Sequence, residues 1–206
     1  MFQRESMYTC GAIRLESSYS KFNVLSPEDI AFMVELYGKL DNKENTEFLR
    51  RDFNLFNVYK IMLGGKKLST KDLQKLKNIT FSIRDCCGAR NIQAAYFLKY
   101  IPGSFTNIHI DNPQRVFKTA ITLVDASPTL IGGEAIILRD IEPTDLHDGI
   151  ERPGSVDKND NKGRSYKIPI VAHQDIGSTL IYNNDVLHGV SKVIEGYRLV
   201  HVLWLG

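Results

Sequence analysis

Residues 106–115 read TNIHIDNPQR. His109 and Asp111 stand two apart in a stretch whose pattern is that of a β-strand, and side chains two apart on a strand leave from the same face. An imidazole and a carboxylate are thereby set side by side. On this stretch alone two readings are open: two ligands of a metal ion, or a hydrogen-bonded polar pair on an ordinary surface strand.

The chain around it changes style near residue 91. Downstream, IQAAYFLKY (92–100), FTNIHI (105–110), RVFKTAITLV (115–124), EAIIL (134–138), YKIPIVA (166–172), STLIY (178–182), VLHGVSKVI (186–194) and YRLVHVLWL (197–205) are short and rich in β-branched and aromatic residues. Pro, Gly, Asn and Asp clusters separate them. About eight strands with no helical period between them predict a jelly roll or barrel. Upstream, three segments read as helical. The first, at 25–40, has Ser26 as cap, Pro27 at the first helical position and Ile30, Met33, Val34 and Tyr37 at helical spacing. The second, at 45–65, carries Phe48, Leu49, Phe53 and Phe56 and stops at Gly64-Gly65. The third, at 69–85, opens with Ser69 and carries Leu73, Leu76 and Ile79. The polar stretch at about 139–167 interrupts the strands; it is too poor in apolar residues to fold alone, and a mobile substrate lid is the reading favoured over a spare connection.

Bulk composition narrows the classes. At 206 residues the chain can close a sizeable core, and one domain is the default. Its 43% hydrophobic and 24% charged residues are those of a globular protein, and a net charge of +2 gives no footing for nucleic acid. No apolar run reaches the length of a signal peptide or a membrane span. Three cysteines, two of them adjacent (Cys86 and Cys87), fit reduced thiols in a cytoplasm better than a disulfide framework.

A third ligand candidate stands far along the chain. LHGVSKVIEGYR supplies His188 from a different strand. Two histidines and a carboxylate make the facial triad characteristic of non-heme Fe(II) oxygenases, which leaves adjacent positions open on the metal. Ten residues later comes Arg198, near the start of the last strand. An arginine pointing into a barrel is costly unless it meets an anion, and its planar fork suits a carboxylate. The other polar and aromatic candidates read as ordinary: His201 as a packed histidine, His147 and His173 as loop residues, Tyr96 and Trp204 as core.

Taken in order, these residues resemble the 2-oxoglutarate- and Fe(II)-dependent dioxygenases, in their prolyl-4-hydroxylase-like branch. Four stretches carry the likeness: YIPGSFTNIHID (100–111), IGGEAII (131–137), GSTLIYNNDVLHGV (177–190) and VIEGYRLVHVLW (193–204). The resemblance covers roughly residues 91–206. It implies an α+β, mainly β fold: a double-stranded β-helix (jelly roll) core over 91–206, with residues 1–90 as a helical supporting segment. By the same resemblance His109, Asp111 and His188 hold Fe(II), and Arg198 binds the distal carboxylate of 2-oxoglutarate. Tyr100 and Thr122 fall where the family often places hydroxyls near that cosubstrate. The position two after the arginine, often Ser in this branch, is Val200, and Thr122 stands where a tyrosine is frequent.

The activity implied is hydroxylation of a C–H bond, coupled to oxidative decarboxylation of 2-oxoglutarate with O2. The expected substrate is a prolyl or other amino-acid side chain in a protein or peptide, with a free amino acid as the alternative. The competing class is a jelly-roll protein that keeps the metal without turnover, and a cupin-like isomerase stands third. Arg198 separates them, because a structural metal site has no use for a carboxylate fork there. No membrane or nucleic-acid partner is expected, and the oligomeric state is not legible.

Overall fold

A computed structural model of the chain describes residues 19–111, 116–141 and 166–206. In chain order the elements are β1 (Tyr19–Asn23), α1 (Pro27–Leu40), β2 (Glu47–Asp52), β3 (Leu55–Met62), α2 (Thr70–Cys86), β4 (Ile92–His109), β5 (Lys118–Ala126), β6 (Ala135–Ile141), β7 (Tyr166–Ala172), β8 (Ser178–Asn183), β9 (His188–Val190) and β10 (Arg198–Leu205). The expected insertion at about 139–167 lies, for its residues 142–165, outside the described residues; its two ends are the paired strands β6 and β7. Among the described residues no helix is long and apolar enough to cross a membrane.

Both helices begin as their caps dictate. The Ser26 hydroxyl accepts from the Asp29 N–H at 3.2 Å, and the Ser69 hydroxyl accepts from the Asp72 N–H at 3.1 Å. Each bond satisfies one of the orphan donors of a first turn. Helix α1 buries Met33, Leu36, Tyr37 and Leu40, a stripe turned slightly from the expected one, since Val34 is exposed. Helix α2 buries Leu76, Ile79 and Ile83 and leaves Leu73 at the surface.

The segment between them corrects the sequence reading. Residues 45–65 form a β2–β3 hairpin, not a helix, and β1 is a further strand before residue 91. The aromatic residues that mimic a helical stripe pair across strands instead: Phe48 lies against Tyr59 with ring centroids 4.7 Å apart. Phe56 stacks on Phe105 of β4 at 4.4 Å. Phe53-Asn54 makes a two-residue turn, with Phe53 at φ 48°, which breaks any helix there. Pairing with the edge of β4 decides the segment's conformation over its local spacing.

The strands form one curled antiparallel sheet in the order β1-β8-β5-β10-β4-β9-β6-β7, with β3 added to β4 and β2 to β3. Strand β4 makes the curl. Its first half pairs with β10, from Tyr100↔Arg198 to Ile92↔Leu205. Its second half pairs with β9, through Thr106↔Val190 and His109↔His188. Gly103, at φ +90°, sits at the handover, where its N–H donates to the Val193 carbonyl. The two stretches expected as separate strands are thus one bent strand.

Curling creates an inside and an outside, and β10 is buried on both faces. Leu199, Leu203 and Leu205 pack under the helices with Met33, Leu36, Ile79 and Ile83. Val200 and Val202 face inward with Tyr96, Leu98 and Tyr100. A fully buried strand reads as a continuous apolar run, and YRLVHVLWL is one apart from Arg198 and His201. His201 shares the helix side, fully buried beside Phe97, so it is the packed histidine the sequence suggested.

Candidate metal centre

His109 is the last residue of β4, and Asp111 lies just beyond the strand's end. His188 opens β9 directly across from His109, and the two rings are 4.3 Å apart. The same local device orients both rings. His109 Nδ1–H donates to the Asn107 carbonyl at 2.8 Å, and His188 Nδ1–H donates to the Val186 carbonyl at 3.0 Å. A carbonyl can only accept, so Nδ1 carries a proton, and in the neutral tautomer this selects Nε2 is the nitrogen left to ligate. The His109 and His188 Nε2 atoms lie 3.8 Å and 3.9 Å from the Asp111 carboxylate oxygens.

Such spacings are too long for hydrogen bonds, yet the three ligand atoms lie within 4.8 Å of one another. One cation can touch all three. Burial depresses the His188 pKa to about 4, opposed by the Asp111 charge and assisted by His109, so this imidazole is neutral near pH 7. Asp111 is itself held: the Thr119 hydroxyl, on β5, donates to its Oδ2. Nitrogen and carboxylate donors with outer-shell hydrogen bonds fit a divalent first-row metal such as iron(II).

Next to the triad lies a cavity of about 640 Å³, walled by Tyr96, Tyr100, Tyr182, Ile121, Val202 and Trp204. Tyr96 and Trp204, read as core, meet edge to face at 5.8 Å and also form this wall. Tyr100 stands as expected on the inner face, its hydroxyl 2.9 Å from that of Thr106. Burial raises its phenol pKa, partly offset by the Thr106 hydrogen bond and the Arg198 charge, so the phenol stays protonated.

Arg198 is 3% exposed and lies behind the lining residues. Its Nη1 donates to the Gly133 carbonyl and its Nη2 to Gln174 Oε1, while buried Nε has no partner. No carboxylate lies within ion-pair distance of it among the described residues. Burial lowers its pKa, opposed by Tyr100, Tyr182 and Glu134. The Gly-Gly-Glu stretch acts through its backbone. At φ +80°, a Cβ on Gly132 would stand 2.0 Å from the Lys192 carbonyl oxygen, and only glycine fits. That turn aims the next carbonyl at the guanidinium. The Glu134 carboxylate accepts from the Ser191 hydroxyl.

Thr122 is not brought to the site. Inward residues on β5 are Thr119, Ile121 and Leu123, so Thr122 has the opposite parity. Its hydroxyl pairs with that of Thr179 at 2.8 Å on the side of the helices. Sequence reasoning also missed three residues. Thr119 and Tyr182 carry a usable signal, since they share a strand face with apolar Ile121 and Leu180, two residues away. Gln174 lies in the connection between β7 and β8 and carries none.

Comparison with solved structures places this architecture. A 2OG-Fe(II) oxygenase family oxidoreductase from Burkholderia pseudomallei superposes with TM-score 0.62 at 15% identity, over 92% of this chain and 85% of that one. The fold is that of the 2-oxoglutarate- and iron(II)-dependent oxygenases. A prolyl hydroxylase from Trichoplax adhaerens, in complex with a hypoxia inducible factor peptide fragment, gives 0.59 at 14% identity, over 91% and 83%. HygX from Streptomyces hygroscopicus, with nickel, 2-oxoglutarate and hygromycin B bound, gives 0.57 at 12% identity, over 90% and 81%. No protein-family model and no curated protein sequence matches the chain. At these identities the likeness is one of fold, and the chemistry rests on the residues.

Proposed function

We propose that this chain is an Fe(II)- and 2-oxoglutarate-dependent dioxygenase that hydroxylates a C–H bond, with residues 91–206 as a double-stranded β-helix core and residues 1–90 supporting it. One observation carries the reading: a triad of two imidazoles and a carboxylate shares the inner face of the curled sheet with a buried guanidinium that has no carboxylate partner among the described residues. A structural metal site accounts for the first and leaves the second costly, because a buried charge demands an opposite one. A dicarboxylate that chelates the metal at one end answers both.

In this reading His109, Asp111 and His188 hold the iron, and Arg198 takes the distal carboxylate of 2-oxoglutarate, with the Tyr100 hydroxyl close by. The iron and cosubstrate supply the oxidising power when O2 is bound. The chain's share is positioning. Thr119 fixes Asp111, the Asn107 and Val186 carbonyls fix the imidazole tautomers, and the apolar walls keep water from the reacting carbon. The substrate we favour is a prolyl or other amino-acid side chain in a cytoplasmic protein. The exposed β2–β3 turn, whose Asp52, Phe53 and Asn54 border the cavity, supports a peptide.

The test is succinate release from 2-oxoglutarate by Fe(II)-loaded protein, screened against peptides and free amino acids, with mass spectrometry for one added oxygen. Alanine at Asp111 or His188 is expected to abolish both turnover and tight Fe(II) binding, with the far-ultraviolet circular dichroism preserved. Tight iron binding in both variants rules out the triad.

A further inference from the structure

Six buried side-chain atoms lack a hydrogen-bond partner among the described residues, on Tyr37, Ser178, Tyr182, Arg198 and both nitrogens of His201. Of these residues only Tyr182 lines the cavity beside the triad. The Tyr182 side chain is almost fully buried, at 4% exposure, and its ring lies 4.3 Å from that of His188. It stands opposite Thr119 in the β5–β8 pairing, so the phenol emerges beside the hydroxyl that holds Asp111. Leu180, Ile137 and Ala135 pack around it and offer no acceptor. The other unmet donor of this interior, Arg198 Nε, faces the same need. A guanidinium N–H can donate to a phenol oxygen, but these two atoms are not paired with each other, so both hydrogens stand without an acceptor. An anion can serve both.

We propose that Tyr182 is a cosubstrate-binding residue whose hydroxyl donates to a carboxylate oxygen of the dicarboxylate lying between the metal centre and Arg198. The inference rests on reading the site as a 2-oxoglutarate site. It also accounts for the misplaced Thr122. That hydroxyl points toward the helices, and the neighbouring strand β8 returns one to the cavity side through Tyr182. Gln174 completes the arrangement from the same edge. Its Nε2 donates to the Ile121 carbonyl at 2.9 Å, which leaves its oxygen for Arg198 and keeps the guanidinium fixed while Nε stays free.

Calorimetry on the full chain loaded with Mn(II), under nitrogen, separates the outcomes. Tyr182→Phe removes one oxygen and keeps the ring, and Arg198→Gln serves as the reference for a lost cosubstrate site. The phenylalanine variant is expected to bind 2-oxoglutarate roughly tenfold or more weakly, the size of a hydrogen bond to a charged group. Its Mn(II) affinity is expected to stay within about twofold of wild type, and its ligand-free Tm to hold or rise, because a buried unmet donor has gone. A structural role predicts the reverse pattern, a lower Tm with unchanged 2-oxoglutarate affinity. If Arg198→Gln loses binding and Tyr182→Phe retains the wild-type Kd, the Tyr182 assignment is overturned and the site reading stands. If wild type itself does not bind 2-oxoglutarate, both fall together.

Discussion

Replacing Arg198 with Met is expected to leave the free protein about as stable as wild type while erasing its response to 2-oxoglutarate. The guanidinium is buried, unpaired by any described carboxylate, and held by two neutral acceptors, the Gly133 carbonyl and Gln174 Oε1. Burying an unpaired ion costs several kcal/mol even after relaxation. Methionine removes that cost but strands both acceptors, at about 1–3 kcal/mol each. The two effects oppose, and the net change is expected to stay within about 2 kcal/mol. Ligand stabilisation behaves differently. At one hundred times its Kd, 2-oxoglutarate adds about 2.7 kcal/mol to the wild type, which for a chain this size is roughly 5–10 °C in Tm. Differential scanning fluorimetry with Mn(II), with and without 2-oxoglutarate, reads both numbers at once. A methionine variant that keeps the full ligand-dependent shift refutes the anion role of Arg198.

Three further outcomes follow from other contacts. Thr119→Val, nearly isosteric, removes the donor to Asp111 Oδ2 and is expected to weaken Mn(II) binding roughly 10–100-fold by calorimetry, with little loss of Tm; unchanged affinity refutes the orienting role. Gly132→Ala sets a Cβ against the Lys192 carbonyl at positive φ and is expected to cost at least about 2 kcal/mol in urea unfolding, whereas a neutral result means the loop can move aside. His201, whose pKa burial depresses to about 3, makes acid unfolding steeper: the unfolded chain takes up the proton first, so stability is lost as pH falls from 6.5 toward 3, by at most about 5 kcal/mol. Stability curves of wild type and His201→Leu that run parallel over that range contradict this.

The sequence and the structure agree where a side chain's identity reports its own surroundings. Strands 166–172, 178–183 and 198–205 were legible because burial leaves an apolar pattern, and α1 because Ser26-Pro27 punctuates it. His109, Asp111 and His188 were legible because few structures need two imidazoles and a carboxylate in that order. Residues 45–65 misled because their aromatics match a helical spacing by chance, and the partner strand that decides the matter lies roughly 35 to 50 residues away. Thr122 misled through parity. A register error of one residue turns a strand side chain to the opposite face, and Thr119 and Ile121 hold the inward positions that Thr122 was expected to share.

Gln174 shows a different limit, since an amide in a connecting loop looks like any surface polar residue until Arg198 is found against it. The motif itself is accordingly only part of the specification. Gly132 and Gly133 matter for backbone direction, and Gln174 and the Ile121 carbonyl form the chain of contacts that holds Arg198 in place. Because both guanidinium supports are neutral acceptors, neither cancels its charge. On the function proposed above, Arg198 is a fixed cation without a carboxylate partner among the described residues, and preorganisation of that kind would favour an anionic ligand. A carboxylate in the place of Gln174 would pair with Arg198 and compete with an incoming anion, so Gln174→Glu is expected to raise the ligand-free Tm and to weaken 2-oxoglutarate binding by calorimetry, and unchanged binding would refute this role of Gln174.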